Sequence, residues 1–296
     1  MKRLTIRTVS AAGLLTVAAL TLSVAAAAEI ARENDTWSET ITEERMLEQG
    51  GSLSVRNSNG TIDVQSWDEP TVRIVAHKEM ELEKAWWQRF TGGTVSDETG
   101  LEKFESLKVV VDAGTNEVQV RTEYPDWERG ISYRVNYEIT VPRGIDTDVR
   151  TSNGQIEVEG VIGALEATSS NGKIVVKGVD GSVFAESSNG GITCEGVTGT
   201  VDARTSNGSI TVRNQDVLNP TGEIRCATSN GGITVALDES NGFELSADTS
   251  NGSIKSEFPL PSSGADLRKH VNATVGAGGP KIDLTTSNGS ISVEKI

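Results

Sequence analysis

The sequence predicts an all-β chain: a parallel β-helix-like solenoid built from Ser-Asn-Gly repeats of about 18 residues, preceded by an irregular N-terminal region with one short helix. Three observations predict it. The tripeptide Ser-Asn-Gly recurs with its asparagine at Asn59, Asn153, Asn171, Asn189, Asn207, Asn230, Asn251 and Asn288, and from Asn153 to Asn207 the spacing is a constant 18 residues. A fixed period near 20 residues marks a stacked-repeat architecture. Three residues after each asparagine stands an isoleucine (Ile62, Ile156, Ile174, Ile192, Ile210, Ile233, Ile254, Ile291), and two further on Val64, Val158, Val176, Cys194, Val212, Val235, Ser256 or Val293. That alternation puts both side chains on one face of a strand. Helical periodicity is absent from the repeats, so no second layer is available to cover the broad apolar face of an antiparallel meander, whereas a solenoid coil closes its apolar side chains inside.

In chain order, residues 1–28 read as a secretory signal: Lys2, Arg3 and Arg7 form a basic start, Ala11 to Val24 an apolar stretch, and Ala26-Ala27-Ala28 a cleavage site. No later stretch holds 18 consecutive apolar residues, so no membrane span is expected after cleavage. Residues 29–50 read as a polar lead-in. Residues 51–145 read as an N-terminal β region and cap, with strands at Ser52–Asn57, Thr61–Ser66, Thr71–Ala76, Leu107–Asp112, Glu117–Thr122 and Tyr133–Val141. Between them Glu79–Phe90 reads as the short helix and Gly92–Gly100 as a loop. All five Trp and all three Tyr precede residue 140. Trp86 and Trp87 fit either an end cap that blocks edge pairing or an aromatic platform for a glycan or partner.

Residues 146–296 form the repeat solenoid, continuous with the preceding region as one domain over 51–296. Each repeat is strand, turn, strand, turn: the turns are bracketed by glycines (Gly160 and Gly163, Gly178 and Gly181, Gly196 and Gly199), and the second strand points Leu165 and Ala167, Val183 and Ala185, or Val201 and Ala203 to one side. Asn-Gly is also a strong hairpin signal, so the meander is the competing arrangement. Stacking alternates Glu159, Lys177, Glu195 and Arg213 in sign, but a meander pairs Glu166 with Lys177 and Asp202 with Arg213 equally well. Charge therefore fits both, and the core argument selects the solenoid. One coil cannot offset the ordering of its own residues, so coils must stack. In the corners the asparagine side chains are expected to bond the backbone or one another in a ladder, with the glycine permitting positive φ. The gap of 37 between Asn251 and Asn288 reads as two periods, with a rung near 262–280 that lacks the tripeptide.

Composition narrows function. The formal charge of −15 over 296 residues opposes nucleic acid and anionic lipid surfaces. His77 and His270 are the only histidines and have no ligand-spaced neighbours, so no zinc site is expected. Ser262, Ser263, Asp266 and His270 lie close in sequence but lack a nucleophile elbow. No catalytic residue, metal or cofactor is expected. Cys194 and Cys226 fall at inward positions of successive coils; export permits a disulfide, and two buried thiols are the alternative.

The run Gly51-Ser-Leu-Ser-Val-Arg-Asn-Ser-Asn-Gly-Thr-Ile-Asp-Val, the later Tyr137-Glu-Ile-Thr-Val-Pro-Arg-Gly and the Thr/Ser-Ser-Asn-Gly-x-Ile-x-Val repeats resemble the bacterial domain-of-unknown-function family labelled "putative adhesin", the toast-rack or β-strand-repeat proteins, over roughly residues 45–296. The resemblance implies a right-handed solenoid in the cell envelope, a hand that agrees with the rule for parallel crossovers. It supplies no catalytic residues. The expected function is an exported, non-enzymatic envelope protein that binds or scaffolds, with an unknown envelope protein or glycan as partner. The chain shows no C-terminal barrel or wall-anchoring signal, which favours the periplasm over secretion or surface display. The alternative is a carbohydrate-active enzyme, a polysaccharide lyase or hydrolase on a β-helix, which needs projecting loops to build a cleft; Trp86–Gly100 and Ser262–Gly279 are the only long excursions. Ice or mineral binding by Thr193, Thr211 and Thr234 gains little, because Glu157, Val175 and Lys255 interrupt that column.

Overall fold

The computed structural model describes residues 29–82, 97–126, 129–214, 222–240, 242–260 and 269–296. The N-terminal region holds β1 (Ala31–Glu33), β2 (Thr36–Met46), β3 (Gly51–Arg56), β4 (Ile62–Trp67), β5 (Thr71–Leu82), the helix α1 (Asp97–Ser106), β6 (Lys108–Ala113), β7 (Glu117–Glu123) and β8 (Ile131–Pro142). The repeats supply β9 (Ile145–Thr151), β10 (Ile156–Glu159), β11 (Leu165–Ser169), β12 (Ile174–Lys177), β13 (Val183–Ser187), β14 (Ile192–Glu195), β15 (Val201–Thr205) and β16 (Ile210–Asn214). After them come β17 (Glu223–Thr228), β18 (Ile233–Leu237), β19 (Phe243–Thr249), β20 (Ile254–Ser256), β21 (His270–Val275), β22 (Lys281–Thr286) and β23 (Ile291–Lys295). Among the described residues no helix is long and apolar enough to cross a membrane.

Each regular coil gives one strand to each of two facing sheets. The 12-stranded sheet runs β1-β2-β5-β8-β4-β10-β12-β14-β16-β18-β23-β20, and the 11-stranded sheet runs β21-β19-β22-β17-β15-β13-β11-β9-β3-β7-β6. Repeat strands pair in parallel and in register, Ile156 beside Ile174, Ile192 and Ile210 in turn. Neighbouring repeat strands run in one direction, which excludes the meander and gives a solenoid-like stack. The same register places Glu159, Lys177, Glu195 and Arg213 side by side. Between the sheets the Ile and Val columns of one face Leu165, Val183, Val201 and Ile224 of the other, with Ala167, Ala185 and Ala203 keeping the core thin. Among the described residues antiparallel pairs occur only towards the ends, where β1 pairs β2, β5 bridges β2 and β8, β6 pairs β7, and β21 pairs β19.

The structure corrects three N-terminal expectations. Residues 79–82 belong to β5 and not to a helix: Glu79, Met80, Glu81 and Leu82 also alternate with period two, and pairing with β2 and β8 on both sides prevails over local propensity. Residues 83–90 lie outside the described residues. The helix is α1 instead, in part of what reads as a loop. Its Phe104 packs on Trp37 with ring centroids 6.3 Å apart, and Gly100 leaves room for that indole, which an added Cβ would meet at 3.1 Å. The polar lead-in contains β1 and β2. Their polar sequence conceals the strands, because Trp37 and Met80 are buried together while Glu39 and Lys78 fill neighbouring inward positions as an ion pair of 2.5 Å.

The spacing near the C-terminus has a different origin from a missing rung. β22 lies between β17 and β19, and β23 lies between β18 and β20. The coil of Asn288 is therefore inserted between those of Asn230 and Asn251, and the intervening chain contains β21, which covers β19. The N-terminal end repeats the inversion: β3 lies between β7 and β9, and β4 between β8 and β10. At each end the coil nearest the terminus is interior and a later or earlier coil covers it. Removing residues 281–296 takes out the buried Ile282, Leu284, Ile291 and Val293, worth about 8 kcal/mol at ~2 each against a typical total of about 5–15 kcal/mol. We predict that this truncation abolishes cooperative thermal unfolding followed by circular dichroism. A loss of only a few degrees in Tm would contradict the inserted-coil topology.

Candidate functional site

The site is built upward from the corner that spaces the coils. Along this corner each asparagine donates its Nδ2 to the Oδ1 of the asparagine on the neighbouring coil, in the order Asn251, Asn288, Asn230, Asn207, Asn189, Asn171, Asn153 and Asn59, at 2.8–3.0 Å. The row is mostly solvent-exposed. Just inside it runs a second ladder that sequence reasoning missed. The residue two before each of these asparagines is buried, and the hydroxyls of Ser169, Ser187, Thr205, Thr228, Thr249 and Thr286 donate to a glycine carbonyl of the adjacent coil at 2.8–3.2 Å. The signal was present as an invariant Ser or Thr in the repeats. In the first coil Asn57 takes that place, giving its amide to the Val135 carbonyl and accepting from the Tyr124 hydroxyl.

The glycines of this corner serve close approach. Gly60 has φ 125°, but Gly154, Gly172, Gly190, Gly208, Gly231, Gly252 and Gly289 are not among the positive-φ residues, which corrects the expectation of positive φ throughout. A Cβ on Gly172 would lie 1.6 Å from the Gly154 carbonyl oxygen, and one on Gly190 would lie 1.9 Å from that of Gly172. No L side chain fits under that oxygen, so the corner dictates glycine sterically.

Register fixed at the corner turns outward residues into rows. On the outer face of the 11-stranded sheet, Ser52, Asp146, Ala164, Ser182 and Thr200 stand beside a row of Ser54, Asp148, Glu166, Phe184 and Asp202, and from β11 to β15 the first row is the lower. The low row leaves a hollow of about 980 Å³ crossing the strands. Farther along the same face a second hollow of about 690 Å³ is lined by residues including Arg225, Glu244, Asn272, Lys281 and Asp283. The carboxylates are held by arginines of the next row: Asp148 by Arg56 and Arg150, Glu166 by Arg150, and Asp202 by Nε and Nη2 of Arg204, whose guanidinium lies 5.6 Å from the Phe184 ring centre. The face thus offers fixed hydroxyl, carboxylate and guanidinium groups beside one half-buried aromatic ring. That combination suits hydrogen bonding to a polyhydroxylated chain.

The remaining residues singled out from sequence divide. Trp86 and Trp87 lie outside the described residues, as do 1–28, Ser262, Ser263 and Asp266. Cys194 and Cys226 are buried free thiols on opposite sheets; burial pushes Cys194 up to about 12 and Cys226 well above its usual value, so neither is poised as a thiolate. His270 sits on the outer face, where Nδ1 meets Asp248 and Nε2 accepts the Asn272 amide at 2.9 Å, occupying the lone pair a general base would use. His77 lies 3.7 Å from Glu138 on the other sheet. Beside it Glu138, Asp63 and Glu157 are adjacent on three strands. Burial, then the Glu157 charge, raises the Asp63 carboxyl, and its buried Oδ1 has no hydrogen-bond partner. Among the described residues no group of three or more His, Cys, Asp or Glu is arranged to hold a metal ion.

A family model described as Toastrack DUF4097 matches residues 26–294. The chain belongs to the Toastrack family. No curated protein matches it. Two solved structures are similar to this Toastrack chain. One, titled a "putative cell adhesion protein" from Clostridium sporogenes ATCC 15579, is 10% identical, covers 86% of this chain and 99% of its own, and has a TM-score of 0.37. The other, a "putative adhesin" from Bacteroides fragilis NCTC 9343, is 13% identical, covers 87% and 97%, and has a TM-score of 0.38.

Two predictions test the electrostatics and the corner of this Toastrack chain. Gly172→Ala should cost about 3 kcal/mol or more, since the Gly154 carbonyl must move, whereas Asn189→Ala, losing two exposed ladder bonds, should cost about 1–2 kcal/mol. Urea denaturation compares them, and a glycine variant no worse than the asparagine variant would remove the carbonyl contact from the account. Asp63 binds its proton more tightly folded than unfolded, so its ionisation destabilises the fold as pH rises. Asp63→Asn should therefore raise Tm at neutral pH, and the gain should vanish below about pH 4, where the carboxyl is protonated in both states.

Proposed function

We propose that this protein is an exported, non-enzymatic, adhesin-like binding protein of the cell envelope, and that its ligand surface is the outer face of the 11-stranded sheet. The observation that carries this is the alignment of two hollows, of about 980 Å³ and about 690 Å³, on one face whose rows are held in register by the corner ladders. Together they border ten strands of the sheet, from β7 to β21, a span of about 43 Å at ~4.8 Å per strand step. A ligand matching that shape is an extended polymer. The mixture of hydroxyls, paired carboxylates and the Phe184 ring favours a glycan chain over an apolar peptide. The basic start and small-residue end of residues 1–28 support export, and the acidic balance is compatible with the periplasm. Right-handed winding of the coils is the hand that parallel crossovers adopt.

A glycan array run alongside a panel of envelope proteins tests this reading. Binding of a glycan is expected, and Phe184→Ala and Ser182→Arg should each weaken it at least tenfold with the circular dichroism spectrum unchanged. Binding that survives both substitutions would move the site elsewhere. Capture of an envelope protein alone would replace the glycan, and turnover of a polysaccharide would overturn the non-enzymatic assignment.

A further inference from the structure

A sheet edge presents unpaired N–H and C=O groups to any strand that can reach it, and proteins blunt such edges with shortness, proline or charge. Four edges close the two sheets among the described residues. β1 and β20 are three residues each. β21 turns His270, Asn272 and Thr274 outward. β6 differs from these. It pairs with β7 along one side and ends the sheet on the other, it contains neither proline nor glycine, and its consecutive Val109, Val110 and Val111 are all half-exposed. Val109 and Val111 rest on the edge of the core, while Lys108, Val110 and Asp112 share the outer face.

The order of these residues is self-complementary. Lys108-Val109-Val110-Val111-Asp112 reads as opposite charges placed symmetrically around a valine triplet. Two such strands brought together antiparallel, with Val110 opposite Val110, place each Val109 against a Val111 and each Lys108 against an Asp112. Opposite charges and β-branched residues directly across an antiparallel pair are stabilising, and a two-fold axis lets one patch serve both molecules. Asp112 already lies beside Arg121 of β7, an exposed pair of small net value.

We propose that β6 pairs antiparallel with β6 of a second copy of this chain about a two-fold axis at Val110, joining the two 11-stranded sheets edge to edge. The contact is narrow, so the dimer is concentration-dependent.

Sedimentation velocity on the purified protein, across a wide concentration range, provides the test. Reversible dimerisation is expected. Val110→Lys should weaken it at least tenfold while the circular dichroism spectrum and Tm stay unchanged. K108D and D112K should each weaken it, because each sets like charges opposite one another. The doubly exchanged K108D/D112K should recover most of the wild-type association, which a merely adhesive apolar patch would not do. A monomer at the highest soluble concentration would overturn the proposal, as would a dimer indifferent to Val110→Lys or a double exchange no better than its components.

Discussion

The stack depends on one steric contact: the carbonyl oxygen of one corner glycine occupies the space a side chain would need on the next coil's glycine. Because that space is filled by backbone, adjacent coils sit at a single separation, and both corner ladders follow. The inner Ser and Thr hydroxyls can reach the glycine carbonyls of the neighbouring coil, and the outer asparagines can reach one another, only while the backbones remain that close. The ladders satisfy polar groups that tight packing would otherwise strand, and the Ile and Val columns need no adjustment to remain continuous from coil to coil.

That contact also links the interior to the surface. An in-register stack converts a sequence period into straight columns, inside and out. Outside, the columns differ in height, since Ala164, Ser182 and Thr200 are short and their neighbours Glu166, Phe184 and Asp202 are long. A long hollow thus arises from strands and needs no projecting loops. Its walls are cross-braced by Arg56, Arg150 and Arg204, so the charged groups facing solvent are held in place by their neighbours, an arrangement that would lower the ordering cost of the binding proposed above.

Much of this was legible in the residues, and the limits have physical causes. The strict spacing of Ile156, Ile174, Ile192 and Ile210 announced a stacked or meandering repeat, and the lack of any helix to cover a meander's apolar face selected parallel columns. The corner glycine was legible as a requirement but not as a reason: positive φ and close approach both demand glycine, and only the position of the neighbouring carbonyl separates them. Glu79 to Leu82 satisfy two periodicities at once, and the flanking strands that decide between them are far away in sequence. Spatial order was equally hidden. The 37 residues between Asn251 and Asn288 measure chain length, and nothing in that number says that Asn288 lies beside Asn230. The hollow escaped notice because each of its small residues is an unremarkable exposed position until register sets them in a line.

The inverted ends bear on how the molecule assembles. A repeat stack normally grows by adding each unit to the face of the last, using contacts that are short-range along the chain. Here Asn288 bonds Asn230 across 58 residues, and growth towards the C-terminus leaves a slot that only the final segment fills. The coil containing β19 and β20 must therefore wait for residues made after it before its outermost interface is complete. Contacts of such long sequence separation form slowly relative to local zipping, so the topology favours early formation of the regular middle coils, which then serve as the template for the ends.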